Sequence, residues 1–263
     1  MPTLLESILD ATRAALPGVR ARRAEIERAA AAAPTPPAFA RALGAGGSVR
    51  LIAEVKRRSP SAGEISSTLD PAGHAAAYVA GGAAAISVLT DGPHFGGSLE
   101  DLSAVVRRVT VPVLRKDFIL DEVQIAEARA VGASAVLLIV RALEPARLRA
   151  LLSCAGNWGL DALVEVHEPL ELDVALDAGA RVIGINSRNL EDFTIDVAAA
   201  WELLRRVPAD RVAVAESGMQ GVADVERAAQ AGADAVLIGS ALSAAAEPSE
   251  LVSRLTAVAR RGR

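Results

Sequence analysis

The chain has 263 residues, of which 51% are hydrophobic, 3% are aromatic and 23% are charged. This length suits one large domain, and the scarcity of aromatic residues predicts a core of small aliphatic side chains. A net charge of −4 and a single cysteine, Cys154, argue against a nucleic-acid or membrane partner, exclude an internal disulfide and make a cysteine-based metal site unexpected.

The first 48 residues are predicted to form a helical extension that packs on the main domain, residues 49–263. Apolar residues on one face of the first helix are Leu4, Leu5, Ile8, Leu9 and Leu16. We expect this helix to end at Pro17-Gly18. A second helical pattern spans Val19–Ala33, and its arginines favour a solvated face. The apolar face of the first helix must be buried, so we expect it to cover one end of the main domain.

The amino-terminal segment does not resemble a secretory signal peptide, because it contains Glu6 and Asp10 and has no long apolar run. No segment of the chain has the roughly 20 uninterrupted apolar residues that a membrane-spanning helix needs. We therefore expect a soluble cytoplasmic protein.

Eight short apolar runs alternate with helical patterns from about residue 50 onward. The predicted strands are Val49–Lys56, Ala84–Thr90, Val111–Lys116, Ala135–Val140, Ala162–His167, Val182–Asn186, Val212–Glu216 and Ala235–Ser240. Alternating strands and helices indicate parallel βαβ units. Eight such units predict an α/β fold, a single closed (β/α)8 TIM barrel, rather than an open sheet.

An internal repeat supports the barrel. A Gly-Ala pair followed by an apolar run begins at Gly82, Gly132, Gly179 and Gly232, at intervals of about 50 residues. Glycine at these positions suits the end of a helix, where a left-handed residue is common. The interval equals two βα units, so the repeat marks the second, fourth, sixth and eighth strands.

Polar residues interrupt the apolar pattern where the predicted strands end. Barrel enzymes carry their active sites at these carboxyl ends. Strand alternation places Glu54 and Lys56 on one face, toward the barrel interior, and places Lys116 and Glu165 inward by the same reasoning. Asn186 and Glu216 end the next two strands. Charged groups that face a barrel interior must pair or serve a function.

Lysine is rare in this chain, since only Lys56 and Lys116 occur among 28 basic residues. Arginine serves as a surface cation but effectively cannot release a proton, whereas lysine can. The retention of lysine at two strand ends therefore predicts proton transfer at these positions.

Glycine and serine residues after the seventh and eighth strands predict an anion site, where barrel enzymes often bind phosphate. These residues are Ser217, Gly218, Gly239 and Ser240. The histidines at positions 74, 94 and 167 are too dispersed for a metal site, and we expect a structural role for His167. No metal site and no dinucleotide-binding fingerprint is predicted.

The strand-end motifs resemble those of the indole-3-glycerol phosphate synthase family. The matching segments are Ala53–Ser61, Phe95–Leu102, Leu114–Ile119, Leu163–His167, Ile183–Leu190, Ala215–Gly218 and Leu237–Leu242. They cover the whole barrel in the family's order. The resemblance implies a phosphorylated small-molecule substrate, 1-(2-carboxyphenylamino)-1-deoxyribulose 5-phosphate. The implied products are indole-3-glycerol phosphate, carbon dioxide and water.

The resemblance also implies roles for the polar residues at the strand ends. Lys116 is the general acid of ring closure. Lys56, held by Glu54, binds the substrate carboxylate or shares in acid catalysis. Glu165 is the acid/base of the dehydration, and Glu216 orients the cationic groups.

The remaining implied roles concern binding. Asn186 and Arg188 position substrate hydroxyls or the carboxylate. The phosphate is held by Ser59, Ser217, Gly218, Gly239 and Ser240. The resemblance implies no metal or redox cofactor, and we expect a monomer or a weak homodimer.

Two alternatives remain open from the sequence. One is another phosphate-binding barrel enzyme, such as phosphoribosylanthranilate isomerase or the tryptophan synthase α subunit, which we expect to lack this arrangement of Lys56, Lys116 and Glu165. The other is a barrel that binds an anionic ligand without turnover. A pure binder does not need exchangeable protons at several strand ends, so the residues favour an enzyme.

Overall fold

The computed structural model describes residues 3–59, 63–64, 70–189, 191 and 194–262, with the backbone alone at positions 59, 63 and 64. Eight parallel strands close into a barrel in which each strand pairs with its neighbours in chain order and the first pairs with the last. The strands are β1 (Arg50–Val55), β2 (Ala85–Leu89), β3 (Val113–Lys116), β4 (Ala135–Ile139), β5 (Asp161–Val166), β6 (Val182–Asn186), β7 (Val212–Glu216) and β8 (Ala235–Ile238). Arg58–Ser59 and Gly63–Glu64 pair as a separate two-stranded antiparallel sheet.

Helices connect the strands and precede the barrel. They are α1 (Leu4–Ala21), α2 (Arg23–Ala32), α3 (Phe39–Gly44), α4 (Pro71–Ala80), α5 (Gly92–Phe95), α6 (Leu99–Arg108), α7 (Glu122–Ala130), α8 (Pro145–Asn157), α9 (Pro169–Asp177), α10 (Val197–Leu204), α11 (Val222–Gln230), α12 (Ser240–Ser243) and α13 (Pro248–Thr256), with a 3₁₀ turn at Val140–Ala142. Among the described residues, no helix has the length and apolar character needed to cross a membrane.

The predicted (β/α)8 barrel is confirmed. The sixth and seventh strands have the predicted bounds, and the others differ by one or two residues at one or both ends. The four glycines of the repeat precede β2, β4, β6 and β8, and all have positive φ angles between 87° and 101°. The repeat therefore corresponds to a left-handed residue between helix and strand, once in every two βα units.

Two apolar layers form the core. The outer layer lies between the strands and the surrounding helices. The inner layer fills the barrel and includes Ile52, Leu114, Leu163, Val214 and Leu237. Residues of one strand alternate between the layers, so the polar residues at the strand ends lie directly above the inner apolar layer.

Helix α3 covers the amino-terminal end of the barrel. Phe39 and Leu43 are fully buried and belong to the inner apolar layer. The backbone N–H of Ala40 donates to the carboxylate of Asp161, the first residue of β5, at 2.9 Å. Because α3 closes the amino-terminal end of the barrel, a site can form only at the carboxyl ends of the strands. The division of the chain at residues 48 and 49 stays a prediction.

Helix α1 lies toward the carboxyl ends of the strands. Leu5, Ile8 and Leu9 are buried in the same apolar layer as Phe118 and Ile139, which follow or end β3 and β4. The expected apolar face therefore packs on the barrel.

The expected break at Pro17 is wrong, since α1 continues through Pro17 to Ala21. Pro17 lies on the exposed side of the helix. A proline there removes one backbone hydrogen bond, and water can reach the carbonyl that loses its donor. The helix instead ends at Ala21, and Arg22 is both its C-cap and the N-cap of α2.

The solvated face predicted for the arginines near residue 20 is also only partly correct. Arg20 donates to the buried carboxylate of Asp121 at 2.5 Å and Arg23 donates to it at 3.3 Å. Asp121 caps the first turn of α7 through the N–H of Val123. These contacts join the end of α1 and the start of α2 to the loop after β3.

We predict that Phe39→Ala lowers the free energy of unfolding by about 3–5 kcal/mol, because the substitution leaves a cavity beneath the barrel. The measurement is urea unfolding followed by circular dichroism. Leu170→Ala is the control, because this side chain on α9 is 73% exposed. If Phe39→Ala lowers the free energy of unfolding as little as Leu170→Ala does, α3 does not stabilise the barrel.

Candidate active site

An open cavity of about 140 Å³ lies at the carboxyl ends of the strands. Most of the residues predicted from the sequence line it: Glu54, Lys56, Lys116, Glu165, Asn186, Arg188, Ser217, Gly218, Gly239 and Ser240. Glu216 is buried and does not line the cavity, and the side chain of Ser59 lies outside the described part of the chain. The closed barrel thus brings together groups from six strand ends.

The carboxylate of Glu54 is bonded to both lysines. Its Oε2 accepts from the Lys116 Nζ at 2.8 Å, and its Oε1 lies 3.1 Å from the Lys56 Nζ. Lys56 also donates to the hydroxyl of Ser240 at 3.0 Å. Glu54 is 3% exposed, so its charge is compensated by these two ammonium groups rather than by water.

The opposite charges of Glu54 and the two lysines keep Glu54 and Lys116 ionised. Burial alone would raise the pKa of Glu54, but the ammonium groups of Lys116 and Lys56 hold it at about 2. Burial would likewise lower the pKa of Lys116, but the carboxyl groups of Glu54, Glu216 and Glu165 raise it above its ordinary value. Lys116 therefore carries a proton that it can donate within the cavity.

Glu165 and Glu216 form a second pair of acids beside Lys116. Burial and the charge of Glu165 raise the pKa of Glu216 well above its ordinary value, despite the opposing effect of Lys116. Neither oxygen of Glu216 accepts a hydrogen bond from a described group. The protonated form is therefore favoured, and its O–H can donate to Glu165. Because the two groups interact, the retained proton belongs to the pair.

Gly184 on β6 provides the space for Glu216. A methyl group at position 184 would overlap the Glu216 carboxyl group. A methyl group at position 239 would similarly meet the carboxylate of Glu54. Sequence reasoning did not identify Gly184, because Glu216, on the neighbouring strand β7, is 32 positions away in the chain.

The end of the cavity after β7 and β8 is rich in hydrogen-bond donors. Ser217 has a φ of 65° and Gly218 has a φ of 72°. A left-handed conformation at a serine costs of the order of 1–3 kcal/mol, and such strain is characteristic of binding sites. The hydroxyl of Ser240 and the ammonium group of Lys56 face the same end of the cavity.

Arg188 lines the cavity after β6, the strand that pairs with β7. Its backbone N–H donates to the Asn186 side-chain oxygen at 3.1 Å, which orders the turn after the strand. Its guanidinium group lines the cavity, and the part of the chain that is described offers it no hydrogen bond or ion pair. This cation is therefore available to a ligand.

The sequence analysis did not predict the apolar part of the cavity. It is lined by Leu89, Phe95, Phe118, Leu137, Ile139 and Ile195. The rings of Phe95 and Phe118 have centroids 6.3 Å apart. A signal was present, since the chain has only four phenylalanines and two of them follow strand ends. An apolar wall of this kind suits an aromatic ring.

We predict that Glu216→Gln changes the pH dependence of stability. The folded protein keeps a proton on Glu216 at pH values where the unfolded chain, with an ordinary pKa near 4.5, loses it. This group's contribution to stability is therefore complete below pH 4.5 and is lost as the pH rises toward the raised pKa.

The unfolding free energy of Glu216→Gln should rise relative to the parent by up to about 1.4 kcal/mol for each pH unit above 4.5. The difference should level off above the raised pKa. Urea unfolding at a series of pH values measures this. A difference between the two proteins that does not vary with pH would contradict the assignment.

Comparison with known proteins gives a consistent result. The family model described as indole-3-glycerol phosphate synthase matches residues 5–255. The indole-3-glycerol phosphate synthase of Chlorobium phaeovibrioides is 53% identical over 80% of this chain and 81% of its own. Indole-3-glycerol phosphate synthase 1 of Streptomyces coelicolor is 49% identical, over 97% and 95% of the two chains. The synthase of Rhodococcus jostii is 50% identical, over 96% and 94%.

Solved structures with lower identity share the fold alone. A 3-hexulose-6-phosphate synthase has a TM-score of 0.63 at 18% identity, covering 80% of this chain and all of its own. A thiamine phosphate pyrophosphorylase from Pyrococcus furiosus has a TM-score of 0.58 at 17% identity, covering 79% and 93%. The family model and the relatives at about 50% identity, unlike these structures, match in sequence along nearly the whole chain, and they show that this chain belongs to the indole-3-glycerol phosphate synthase family.

Proposed function

We propose that this chain converts 1-(2-carboxyphenylamino)-1-deoxyribulose 5-phosphate to indole-3-glycerol phosphate, carbon dioxide and water at the cavity above the barrel. One observation carries the proposal. The chain's two lysines are both bonded to the buried carboxylate of Glu54, between an apolar wall and an end rich in hydroxyl groups. A substrate with an aromatic ring at one end and a phosphate at the other fits this division.

The substrate lies along the cavity. Its aromatic ring packs on the wall that contains Phe95 and Phe118. Its phosphate lies against the loops at Ser217–Gly218 and Gly239–Ser240, with Lys56 beside it. The ketone between these two ends then lies near Lys116. The enzyme gains most from this arrangement by bringing the ring carbon and the ketone carbon together.

Lys116 protonates the ketone oxygen in the first step. The ring carbon that bears the carboxylate forms a bond to the ketone carbon, and the carbonyl electron pair takes the proton from the ammonium group. Glu54 holds this ammonium group in place throughout. The new intermediate carries a positive charge that includes the ring nitrogen.

Carbon dioxide then leaves, and the electron pair of the broken bond neutralises the cation. Of the three cations that line the cavity, Arg188 has no side-chain partner among the described groups, so it holds the substrate carboxylate before this step. Lys56 faces Ser240 and therefore serves the phosphate end more than the carboxylate. Asn186 orders the turn that carries Arg188.

Dehydration completes the reaction. Glu165 gives the proton held by the Glu165–Glu216 pair to the hydroxyl group, which leaves as water, and then accepts the proton released as the five-membered ring becomes aromatic. Glu216, whose protonated form is favoured, keeps Glu165 from facing a second negative charge. This chain's own acids and bases supply every proton movement, and the proposal includes no cofactor. We place the protein in the cytoplasm, as a monomer or a weak homodimer.

We predict that indole fluorescence rises when the purified protein is mixed with the carboxyphenylamino-deoxyribulose phosphate without added metal. Lys116→Ala should lower kcat by about 10²–10⁴-fold, the usual contribution of a general acid. Arg28→Ala is the matched control, because it removes an exposed cation on α2.

The outcomes separate the alternatives. Tight binding of the substrate with no fluorescence rise would mean a barrel that binds without turnover. Neither binding nor product would contradict the proposed function. Product formation at a normal rate by Lys116→Ala would mean that another group is the acid of ring closure.

A further inference from the structure

A row of four polar side chains leads from the cavity to the loop after β4. Glu165 on β5 lies 3.4 Å from the Nε2 of His167, measured from its Oε1. The Nδ1 of His167 lies 3.3 Å from the Oε2 of Glu171, on the first turn of α9. The Oε1 of Glu171 accepts from the Nε of Arg141 at 2.8 Å.

The two outer members fix the imidazole ring. The backbone N–H of His167 donates to the same Glu171 oxygen at 2.6 Å, so the ring and its own backbone share one acceptor. Burial would raise the pKa of Glu171, but its hydrogen bonds with His167 lower it. Glu171 is therefore an ionised anchor, and Arg141 holds it from the loop after β4.

The contact between His167 and Glu165 is buried. The side chain of His167 is 6% exposed and that of Glu165 is 2% exposed. Within the described chain, neither the Nε2 of His167 nor the Oε1 of Glu165 makes a hydrogen bond, and the two atoms face each other at 3.4 Å. Polar atoms buried in this way carry a large desolvation cost unless they pair.

The Nδ1 of His167 is engaged by Glu171, so the Nε2 is the ring atom that remains for Glu165. An imidazole nitrogen and a carboxyl oxygen can share one proton in a contact of this kind. His167 thus restrains one oxygen of Glu165 and leaves the other for the substrate.

We propose that His167, clamped by Glu171 and Arg141, is a positioning residue that holds the Glu165 carboxyl group in the orientation its acid/base role requires. This inference rests on the proposed function of Glu165. It gives a part in the reaction to three residues that do not line the cavity, Arg141, Glu171 and His167. When such a restraint on a catalytic base is removed, we expect kcat to fall while KM changes little.

Two substitutions of similar polarity test the proposal. The amide of His167→Asn reaches the position of Nδ1 and keeps the contact with Glu171. The amide of His167→Gln reaches the position of Nε2 and keeps the contact with Glu165. We expect His167→Asn to lower kcat by about 10-fold or more, with KM within about 3-fold of the parent, and His167→Gln to keep most of the activity.

The double variant Glu165→Gln/His167→Asn tests whether His167 acts through Glu165. In the Glu165→Gln background, His167→Asn should change kcat by less than about 2-fold, because the group it positions is already absent. Thermal unfolding verifies that each variant folds. Glu171→Gln weakens the clamp without touching Glu165 and serves as a second variant, with kcat again expected to fall. His74→Asn, outside the cavity, is the control.

Several results would overturn the inference. They are an unchanged kcat in folded His167→Asn, equal losses in the Asn and Gln variants, or independent effects of the two substitutions in the double variant. Failure of the proposed function is distinguishable, because the unaltered protein would then form no product at all.

Discussion

The site depends most on the ion pairs of the buried Glu54 carboxylate, because this group contacts both lysines of the chain. Lys116 and Lys56 come from different strand ends, and each would repel the other without the anion between them. Removing a charge from a buried ion pair is costly, since the remaining charge loses its compensation. The same pairing keeps Lys116 protonated, as its proposed role as the acid of ring closure requires.

The barrel makes this arrangement possible through its register and its small residues. Parallel strands of similar length end at one level, so inward side chains meet above the apolar interior. Gly184 and Gly239 leave room for the carboxyl groups of Glu216 and Glu54. Helix α3 closes the amino-terminal end, which leaves the carboxyl ends as the place for chemistry. The helical extension thus contributes to the site by completing the core around it.

The barrel and its polar strand ends were predictable because they follow from residue patterns within short stretches of the sequence. Strand alternation alone placed Glu54 and Lys116 inward, and the glycine repeat gave the number of units. The contact between Lys56 and Ser240 was not predictable, since the two residues are 184 positions apart and meet only when the barrel closes. Phe118 resembled an ordinary core residue until the cavity beside it was known. The continuation of α1 through Pro17 depends on which side of the helix faces solvent, which the local pattern did not show.

The central claim is that Glu54 compensates the charge of Lys116, and its most direct test is a thermodynamic cycle. Urea unfolding at pH 7 would compare the parent with Glu54→Gln, Lys116→Met and the double variant. The account predicts that Glu54→Gln alone costs about 3 kcal/mol, because an uncompensated buried ammonium group remains. The double variant should recover at least about 1 kcal/mol relative to the sum of the two single losses. Losses that simply add would contradict the claim that this ion pair organises the site.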